Sequence, residues 1–339
     1  MSPGLHDLLH FRQFSATLGA FARVHLLRTG VRLGLFETLR RPHTSTELAG
    51  RLGLAQDLVA AWLRAAESQG LVDRSGEAYT VGASVRWLLD SPDAAALHAM
   101  LDQAVLSWHP RFESLPALMK GAERPLHGAA GEAARAAAAS RLIEGRAFDA
   151  LTRVPQAKIA RRVLDVGCGY GTYLAGFLTR YRDAHGLGVE LDAEVAEEAR
   201  RLLREAEVSR RGEVRAGDFM TMDLPQGSFD LAMLNNNIYY FPPTQRPALF
   251  RRVLAKLAPG GVLAIQTPVP STALASRLLG AASGGAVFDL FLRTHRNLHG
   301  LPDASSLHAT LREAGFVETG EVSIVPGGAA RYFWARAPS

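Results

Sequence analysis

The sequence has one cysteine, Cys168, and no long hydrophobic run. An internal disulfide is therefore excluded, and we expect Cys168, which lies between two glycines, to be structural rather than nucleophilic. No run of about 18 apolar residues occurs, and the first ten residues lack the basic start and apolar core of a secretion signal. We therefore expect a cytoplasmic protein with no membrane partner.

Lysine is also scarce, so the net charge of +5 over 339 residues comes almost entirely from arginine. The arginines are scattered, which is typical of a solvated surface, whereas a nucleic-acid footprint gathers positive charge on one face. We therefore expect no nucleic-acid partner. The length suits roughly two domains of 100–200 residues each.

A glycine-rich turn follows the short apolar run at residues 163–166. Gly167, Gly169 and Gly171 occupy alternate positions before a segment, residues 172–180, that we expect to be helical. Glycine permits positive φ and close approach of a ligand, and a helix start offers free N–H groups. The G-x-G-x-G spacing matches neither the phosphate loop, which also needs a following lysine, nor the dinucleotide fingerprint. Only spacing and context argue against an NAD-dependent oxidoreductase.

Strand and helix patterns alternate after this turn, which predicts a doubly wound α/β domain with a parallel sheet. Ligands on such sheets bind at the carboxyl ends of the strands. The last two strands would form an antiparallel edge pair. The expected strands are residues 186–191, 212–216, 230–234, 262–267, 317–324 and 330–337, and the expected helices include residues 194–207 and 245–257.

Glu190 lies at the end of the expected strand at residues 186–191, 23 residues after Gly167. That is close to the offset of about 20 residues at which an acidic side chain meets ribose hydroxyls. Asp192, two residues later, is expected to cap the next helix. The run Asn235-Asn236-Asn237 ends a further strand, and three amides are costly to bury unless they are hydrogen-bonded. This run is therefore either a polar turn or part of a ligand site.

The sequence D-V-G-C-G-Y-G at residues 165–171 resembles the first motif of class I S-adenosylmethionine-dependent methyltransferases. The sequence L-A-P-G-G at residues 257–261 resembles the L-x-P-G-G hairpin before their fifth strand. The resemblance implies a Rossmann-like, seven-stranded catalytic domain at residues 156–339, with S-adenosyl-L-methionine as cofactor. In that family a G-D-F sequence binds adenine, which would place Asp218 on the amino group, the Phe219 amide on the ring, and Phe219 or Met220 on its face. Asp218 could instead cap a turn. The cofactor-binding residues expected are Asp165, Gly167, Gly169, Gly171, Tyr173, Glu190, Leu191, Asp218, Phe219, Met220, Asn235 and Asn236.

The N-terminal segment predicts a helix, a capped second helix, a third helix and a hairpin, which is a winged-helix order. The helix at residues 56–69 carries a slightly negative charge, whereas a phosphate-contacting face needs Lys and Arg. The segments G-L-F-E-T-L at residues 34–39 and T-S-T-E-L-A at residues 44–49 resemble the dimerisation domain of small-molecule O-methyltransferases from bacteria and plants. The resemblance implies an all-helical, winged-helix dimerisation domain at residues 1–92 and a homodimer. A helical linker at residues 93–155 would contribute to the acceptor pocket.

The resembled O-methyltransferases use a histidine in an H-D-W sequence as general base. This chain has Tyr239, Tyr240 and Phe241 there instead. Tyr239 or Tyr240 could orient an acceptor, flank the sulfonium, or simply pack. His295 and His299 lie four residues apart and could share a helix face, as base or as substrate ligands. A third ligand at recognisable spacing is missing, so no metal site is predicted.

We therefore predict a homodimeric methyltransferase that acts on a small-molecule acceptor in secondary metabolism, with O-methylation favoured over C- or N-methylation. The long loop at residues 271–300 could cover the acceptor. The N-P-P-Y type of sequence used on flipped bases is absent. The non-enzymatic alternative is a regulator that binds the cofactor or a metabolite and binds DNA with its winged helix.

Overall fold

The computed structural model describes residues 5–128, 132–270 and 281–339. Its contacts divide the chain into two compact units. The first unit is Met1–Glu113 with Ala130–Leu142, and the second is Ser114–Ala129 with Ile143–Ser339. None of the helices among the described residues combines the length and the apolar character needed to cross a bilayer.

The first unit is helical apart from one hairpin. A π-helical turn, Ala104–Trp108, joins its last two helices. Its elements are α1 (Leu5–Arg32), α2 (Leu35–Thr38), α3 (Ser45–Leu52), α4 (Gln56–Ser68), β1 (Val72–Ser75), β2 (Ala78–Val81), α5 (Ala83–Asp90), α6 (Ala94–Gln103) and α7 (His109–Glu113).

Local sequence sets the boundaries of α3. The Thr44 hydroxyl accepts from the Glu47 amide at 3.2 Å, and the Glu47 carboxylate accepts from the Thr44 amide at 2.8 Å. This is the predicted capping box, and α3 ends at Gly53 with φ of 64°. The hairpin that follows α4 pairs Val72 with Val81. The order of helices and hairpin is therefore the predicted one.

The second unit contains a seven-stranded sheet with helices between its strands. Helix α9 (Glu132–Leu151) has residues in both units. The other elements are α8 (Leu115–Met119), β3 (Arg162–Val166), α10 (Thr172–Arg180), β4 (His185–Glu190), α11 (Ala193–Glu205), β5 (Gly212–Ala216), β6 (Phe229–Asn235), α12 (Arg246–Lys256), β7 (Leu257–Pro268), α13 (Ala281–Arg293), α14 (Ala304–Glu313), β8 (Glu318–Ser323) and β9 (Ala330–Arg336).

The strand order is β5-β4-β3-β6-β7-β9-β8. Strands β3 to β7 are parallel, while β9 runs antiparallel to both β7 and β8. Successive residues of a strand enter opposite cores: Leu164 packs in one cluster and Val163 in the other. The strand order reverses between β3 and β6, which places a crevice at their carboxyl ends. The predicted doubly wound sheet with an antiparallel edge pair is confirmed.

The prediction of a long loop at residues 271–300 is wrong in part, because residues 281–293 form α13. Its large apolar side chains recur at helical spacing, and Phe291 and Leu292 are buried. The first ten residues of this predicted loop, residues 271–280, lie outside the described part of the chain. His295 and His299 do not share a helix face, because α13 ends at Arg293. There the Thr294 hydroxyl donates to the Phe291 carbonyl at 2.6 Å.

Candidate active site

The three glycines of the turn all have positive φ, of 65°, 55° and 76°. A Cβ at Gly167 would lie 2.5 Å from Asn237 Nδ2, and a Cβ at Gly171 would lie 3.1 Å from Ala199 Cβ on α11. A Cβ at Gly169 would meet no described atom within 4 Å. The first and third glycines thus allow close packing within the protein, whereas the second borders open space in which a ligand could lie.

Glu190 reaches back to this turn from the end of β4. Its Oε2 accepts from the Gly169 amide at 2.9 Å, and its Oε1 accepts from the Asp192 amide at 3.1 Å. Each carboxylate oxygen retains further acceptor capacity, so the pair could accept from two neighbouring hydroxyls. Asp192 caps α11 as predicted, by accepting from the amides of Glu194 and Val195. The ribose role of Glu190 stays a prediction.

Asp165 at the end of β3 is 1% exposed. Asn235 Nδ2 donates to its Oδ1 at 3.4 Å, and its Oδ2 has no hydrogen-bond partner among the described residues. Burial, together with the charge of Glu190, raises the pKa of Asp165 from its usual 3.8 to about 8. The carboxyl group is therefore mostly neutral at pH 7, and a cationic donor at this position would stabilise its charged form.

The amide run at the end of β6 is only partly buried, because Asn237 is 8% exposed whereas Asn235 and Asn236 are half-buried. Asn237 Nδ2 donates to the carbonyl oxygens of Val166 and Gly167, which ties β6 to the glycine turn. Asn236 adopts a positive φ of 53°, and its amide donates to the Gln266 carbonyl at 3.0 Å. Asn237 belongs to the predicted amide run but is not among the predicted site residues. It is nevertheless the member whose side chain contacts the glycine turn.

A tyrosine on β9 completes this polar group. The Tyr332 hydroxyl donates to Asn235 Oδ1 at 3.2 Å and lies 3.5 Å from Gln266 Oε1. Tyr332 and Gln266 are both fully buried. Sequence analysis missed both, because each lies within a strand of buried apolar residues and no neighbouring motif marks it.

The G-D-F turn lies after β5. Asp218 Oδ1 accepts from the Met220 amide at 2.8 Å, which caps the turn. The Phe219 ring is 5% exposed and packs in the core, with the Arg252 guanidinium 5.4 Å from its centroid. Of the two side chains expected to pack on adenine, only Met220 is therefore partly open. Leu191, which was also predicted to bind the cofactor, directly follows β4 and is 72% exposed.

Tyr173 lies in the first turn of α10 and is 6% exposed. Its ring packs 5.6 Å from that of Phe148, and burial raises the pKa of its hydroxyl. The aromatic contact makes Tyr173 part of the core beneath the glycine turn.

Three of the four predicted catalytic side chains lie in one aromatic group. Ring centroids of Tyr239 and Tyr240 are 5.4 Å apart, and Phe288 of α13 lies 5.5 Å from Tyr239. His127 links Tyr240, at 6.3 Å, to His295, at 5.2 Å. Sequence analysis missed His127, because it lies in a segment that indicates only a loop.

The protonation of these groups follows from their surroundings. Burial raises the pKa of Tyr239 well above 10, so its hydroxyl stays protonated. His295 Nδ1 lies 3.1 Å from the Phe291 carbonyl oxygen, so a neutral His295 donates from Nδ1 and carries its lone pair on Nε2. Among the described contacts, His299 joins this group through its backbone amide, which donates to the Tyr239 carbonyl at 2.7 Å.

Residues 163–261 match the family described as methyltransferase domain. Among curated proteins, the probable methyltransferase ltbC of Aspergillus luteorubrus is 30% identical over 125 residues, which are 34% of this chain and 43% of that protein. A trans-aconitate 2-methyltransferase of Methylobacterium nodulans is 34% identical over 138 residues, which are 40% of this chain and 50% of that protein. The chain thus spans about half the length of these relatives, or less.

Solved structures resemble the whole chain at lower identity. An O-methyltransferase family protein from Burkholderia thailandensis has a TM-score of 0.78 and 21% identity, covering 100% of this chain and 99% of that one. The mitomycin 7-O-methyltransferase MmcR has a TM-score of 0.77 and 20% identity, covering 97% and 98%. The domain match and the fold together place residues 163–261 in the methyltransferase domain family and give the chain the architecture of a class I S-adenosylmethionine-dependent methyltransferase.

Proposed function

We propose that this protein transfers a methyl group from S-adenosyl-L-methionine to a small-molecule acceptor, with O-methylation favoured. The observation that carries the proposal is the buried Asp165 carboxyl, with Oδ2 unpaired among the described residues, which interacts electrostatically with Glu190, the partner of the Gly169 amide. A cationic amino group is the ligand that such a carboxyl favours. Glu190, at the end of β4, accepts from the Gly169 amide of this turn, so one crevice would offer acceptors for both an ammonium and a ribose.

The residues present fit this cofactor. Asp165 and Asn235 would hold its amino acid end, Glu190 its ribose, and Asp218 with Met220 its adenine. When bound, S-adenosylmethionine supplies a methyl group on a positively charged sulfur. The protein then has to align the acceptor, exclude water and, for a hydroxyl acceptor, remove a proton.

We assign proton removal to His295. Its Nδ1–H is directed to the Phe291 carbonyl, so the lone pair on Nε2 accepts the hydroxyl proton as the acceptor oxygen forms its new bond. Tyr239 stays protonated and orients the acceptor, and the rings of Tyr240 and Phe288 enclose it. A carbon or nitrogen acceptor would need little or no help from His295.

The proposed homodimer rests on an apolar stripe along α1. Five side chains spaced three or four residues apart are each more than half exposed: Leu8, Phe11, Phe14, Leu18 and Phe21. Covering large apolar side chains gains about 1.5–3 kcal/mol each. We propose that a second copy of this chain covers the stripe, and that residues 1–92 form a winged-helix dimerisation domain. The catalytic domain would span residues 156–339, after a linker at 93–155.

A role in secondary metabolism is supported by solved relatives of this fold such as MmcR, which is named for mitomycin. The architecture is the same over nearly the whole chain, but identities near 20% carry no acceptor from one protein to the other. The acceptor is therefore sought by screening phenols, enols and amines.

Calorimetric titration with S-adenosylhomocysteine, and separately with NADH, tests the cofactor. We expect the first to bind and the second not to bind. Glu190→Gln should weaken binding about 10- to 100-fold, because it removes charge-assisted hydrogen bonds. Glu194→Gln, a nearby exposed change on α11, is the matched control and should leave binding unchanged. Binding of NADH alone, or of neither ligand, would overturn the proposal.

A further inference from the structure

A cavity of about 300 Å³ lies in the unit that contains the seven-stranded sheet. It lies where α12 and α14 begin, and its lining is unusually basic. The charged and polar side chains that face it are Arg124, Arg246, Arg293, His299, Asp303 and Ser306.

Arg246 is the buried member, at 7% exposure. Its Nε donates to the Phe241 carbonyl at 3.2 Å and its Nη2 to the Gly300 carbonyl at 2.9 Å. Both partners are neutral, and no carboxylate pairs with Arg246 in the described part of the chain. A buried guanidinium without a counter-ion is costly, so the fold holds a positive charge that an anion would stabilise.

Arg293 adds a second guanidinium at the same place. A Cβ at Gly300 would overlap its guanidinium, so Arg293 packs directly on the residue whose carbonyl binds Arg246. Burial, and then the charge of Arg293, lower the pKa of Arg246. The two arginines therefore repel each other across a cavity that Arg124 also lines.

The carboxylates nearby are already engaged. Asp289 Oδ2 pairs with Arg293 Nε at 2.8 Å, and its Oδ1 accepts from the Leu301 amide. Asp303 caps α14 by accepting from the Ser306 amide at 3.0 Å. The cavity is lined by three arginines and one carboxylate, Asp303, and Asp289 pairs with Arg293 beside it, so positive charge is left in excess.

The backbone adds to this excess. Helix α12 begins at Arg246 and α14 at Ala304, and residues of both N-terminal ends line the cavity, where a helix carries partial positive charge. His299 responds to the same field, because burial and the Arg246 charge both lower its pKa.

We propose that this cavity binds an oxyanion, the carboxylate or phosphate group of a small molecule. The His299 amide donates to the carbonyl of Tyr239, so the cavity adjoins the turn that carries the proposed acceptor-orienting residue. The anion is either the acid group of the methyl acceptor, a reading that rests on the proposed function, or a separate small anion. Guanidinium groups and helix N-termini recognise both sources in the same way.

Titration with inorganic phosphate and with citrate, at low ionic strength and in a buffer without oxyanions, tests the site. We expect both probes to bind. Arg124→Gln and Arg293→Gln should each weaken binding about tenfold, the loss of one charge-assisted contact. Arg251→Gln, an exposed change on α12, is the matched control. Absence of phosphate and citrate binding to the wild-type protein would refute the site. It would also be refuted if the Arg124 and Arg293 variants bound both probes as well as the wild type and the Arg251 control.

Arg246→Gln should weaken binding most, with circular dichroism to show that the variant folds. If it does not fold, the two more exposed arginines still decide the question. S-adenosylhomocysteine binding measured on the same preparation separates the two proposals, because failure of one ligand to bind leaves the other result standing.

The source of the anion follows from a competition experiment. Methyl transfer to hydroxybenzoic acids is measured with and without phosphate. Competitive inhibition that Arg293→Gln relieves would assign the cavity to the acceptor, whereas phosphate binding without competition would assign it to a separate anion. Either result retains the oxyanion site.

Discussion

Replacing Asp165 by asparagine should stabilise the ligand-free protein while weakening its cofactor site. The carboxyl group is buried, and its pKa is raised from 3.8 to about 8. Between these values the folded protein holds one proton more than the unfolded chain, so raising the pH destabilises the folded state. A shift of about four pH units, at about 1.4 kcal/mol per unit, sets an upper limit of about 6 kcal/mol on this effect above pH 8.

Asparagine cannot ionise, and its side-chain oxygen can still accept from Asn235 Nδ2. Urea unfolding followed by circular dichroism, at several pH values between about 5 and 7, measures the difference. We expect the free energy of unfolding of the wild type to fall relative to that of Asp165→Asn by up to about 1.4 kcal/mol per pH unit. Asp183→Asn is the control, because that carboxylate is 78% exposed.

Parallel pH dependence of the wild type and Asp165→Asn would refute this reasoning.

The same ionisation predicts a calorimetric signature. An ammonium beside Asp165 favours the charged carboxylate, so S-adenosylhomocysteine binding at pH 7 should release close to one proton. Titrations in HEPES and in Tris would detect this release, and Asp165→Asn should abolish it.

Three further changes test other parts of the molecule. Gly171→Ala should destabilise the protein by about 1–3 kcal/mol in urea unfolding, because φ is 76° and the new Cβ would lie 3.1 Å from Ala199 Cβ; unchanged stability would contradict the packing role. Phe14→Glu should convert a dimer to a monomer in sedimentation velocity, whereas Leu58→Glu, an exposed apolar residue on α4, should not; a wild-type monomer would count against the dimer. Tyr239→Phe should lower the methyl-transfer rate without moving its pH profile, because the Tyr239 hydroxyl stays protonated; a displaced profile would assign it the base.

Sequence alone predicts those features that depend on local geometry. The capping box at Thr44 needs only residues three apart, and the glycine turn needs only backbone freedom, so both follow from spacing. Glu190 is predictable because the length of a strand–helix–strand unit places it at the end of the adjacent strand, where it meets the Gly169 amide.

Residues that act through tertiary pairing were not predictable. Tyr332 meets Asn235 only because β9 is inserted beside β7, and nothing near residue 332 in the sequence indicates this. The Phe219 ring faces the core rather than the crevice, a matter of side-chain direction that the G-D-F motif does not fix. The prediction that His295 and His299 could share a helix face was wrong because α13 ends at Arg293, where the Thr294 hydroxyl donates to the Phe291 carbonyl.

The position of β9 also bears on how the protein is made. This strand lies between β7 and β8, yet it is the last of the seven to leave the ribosome. Until it emerges, β7 presents an open edge of unpaired backbone groups, which favours association with other chains. The Tyr332 hydroxyl, which donates to Asn235 from 97 residues later in the sequence, is also not available until β9 is made. A nascent chain therefore cannot complete this polar group, or cover the edge of β7, before β9 has been synthesised.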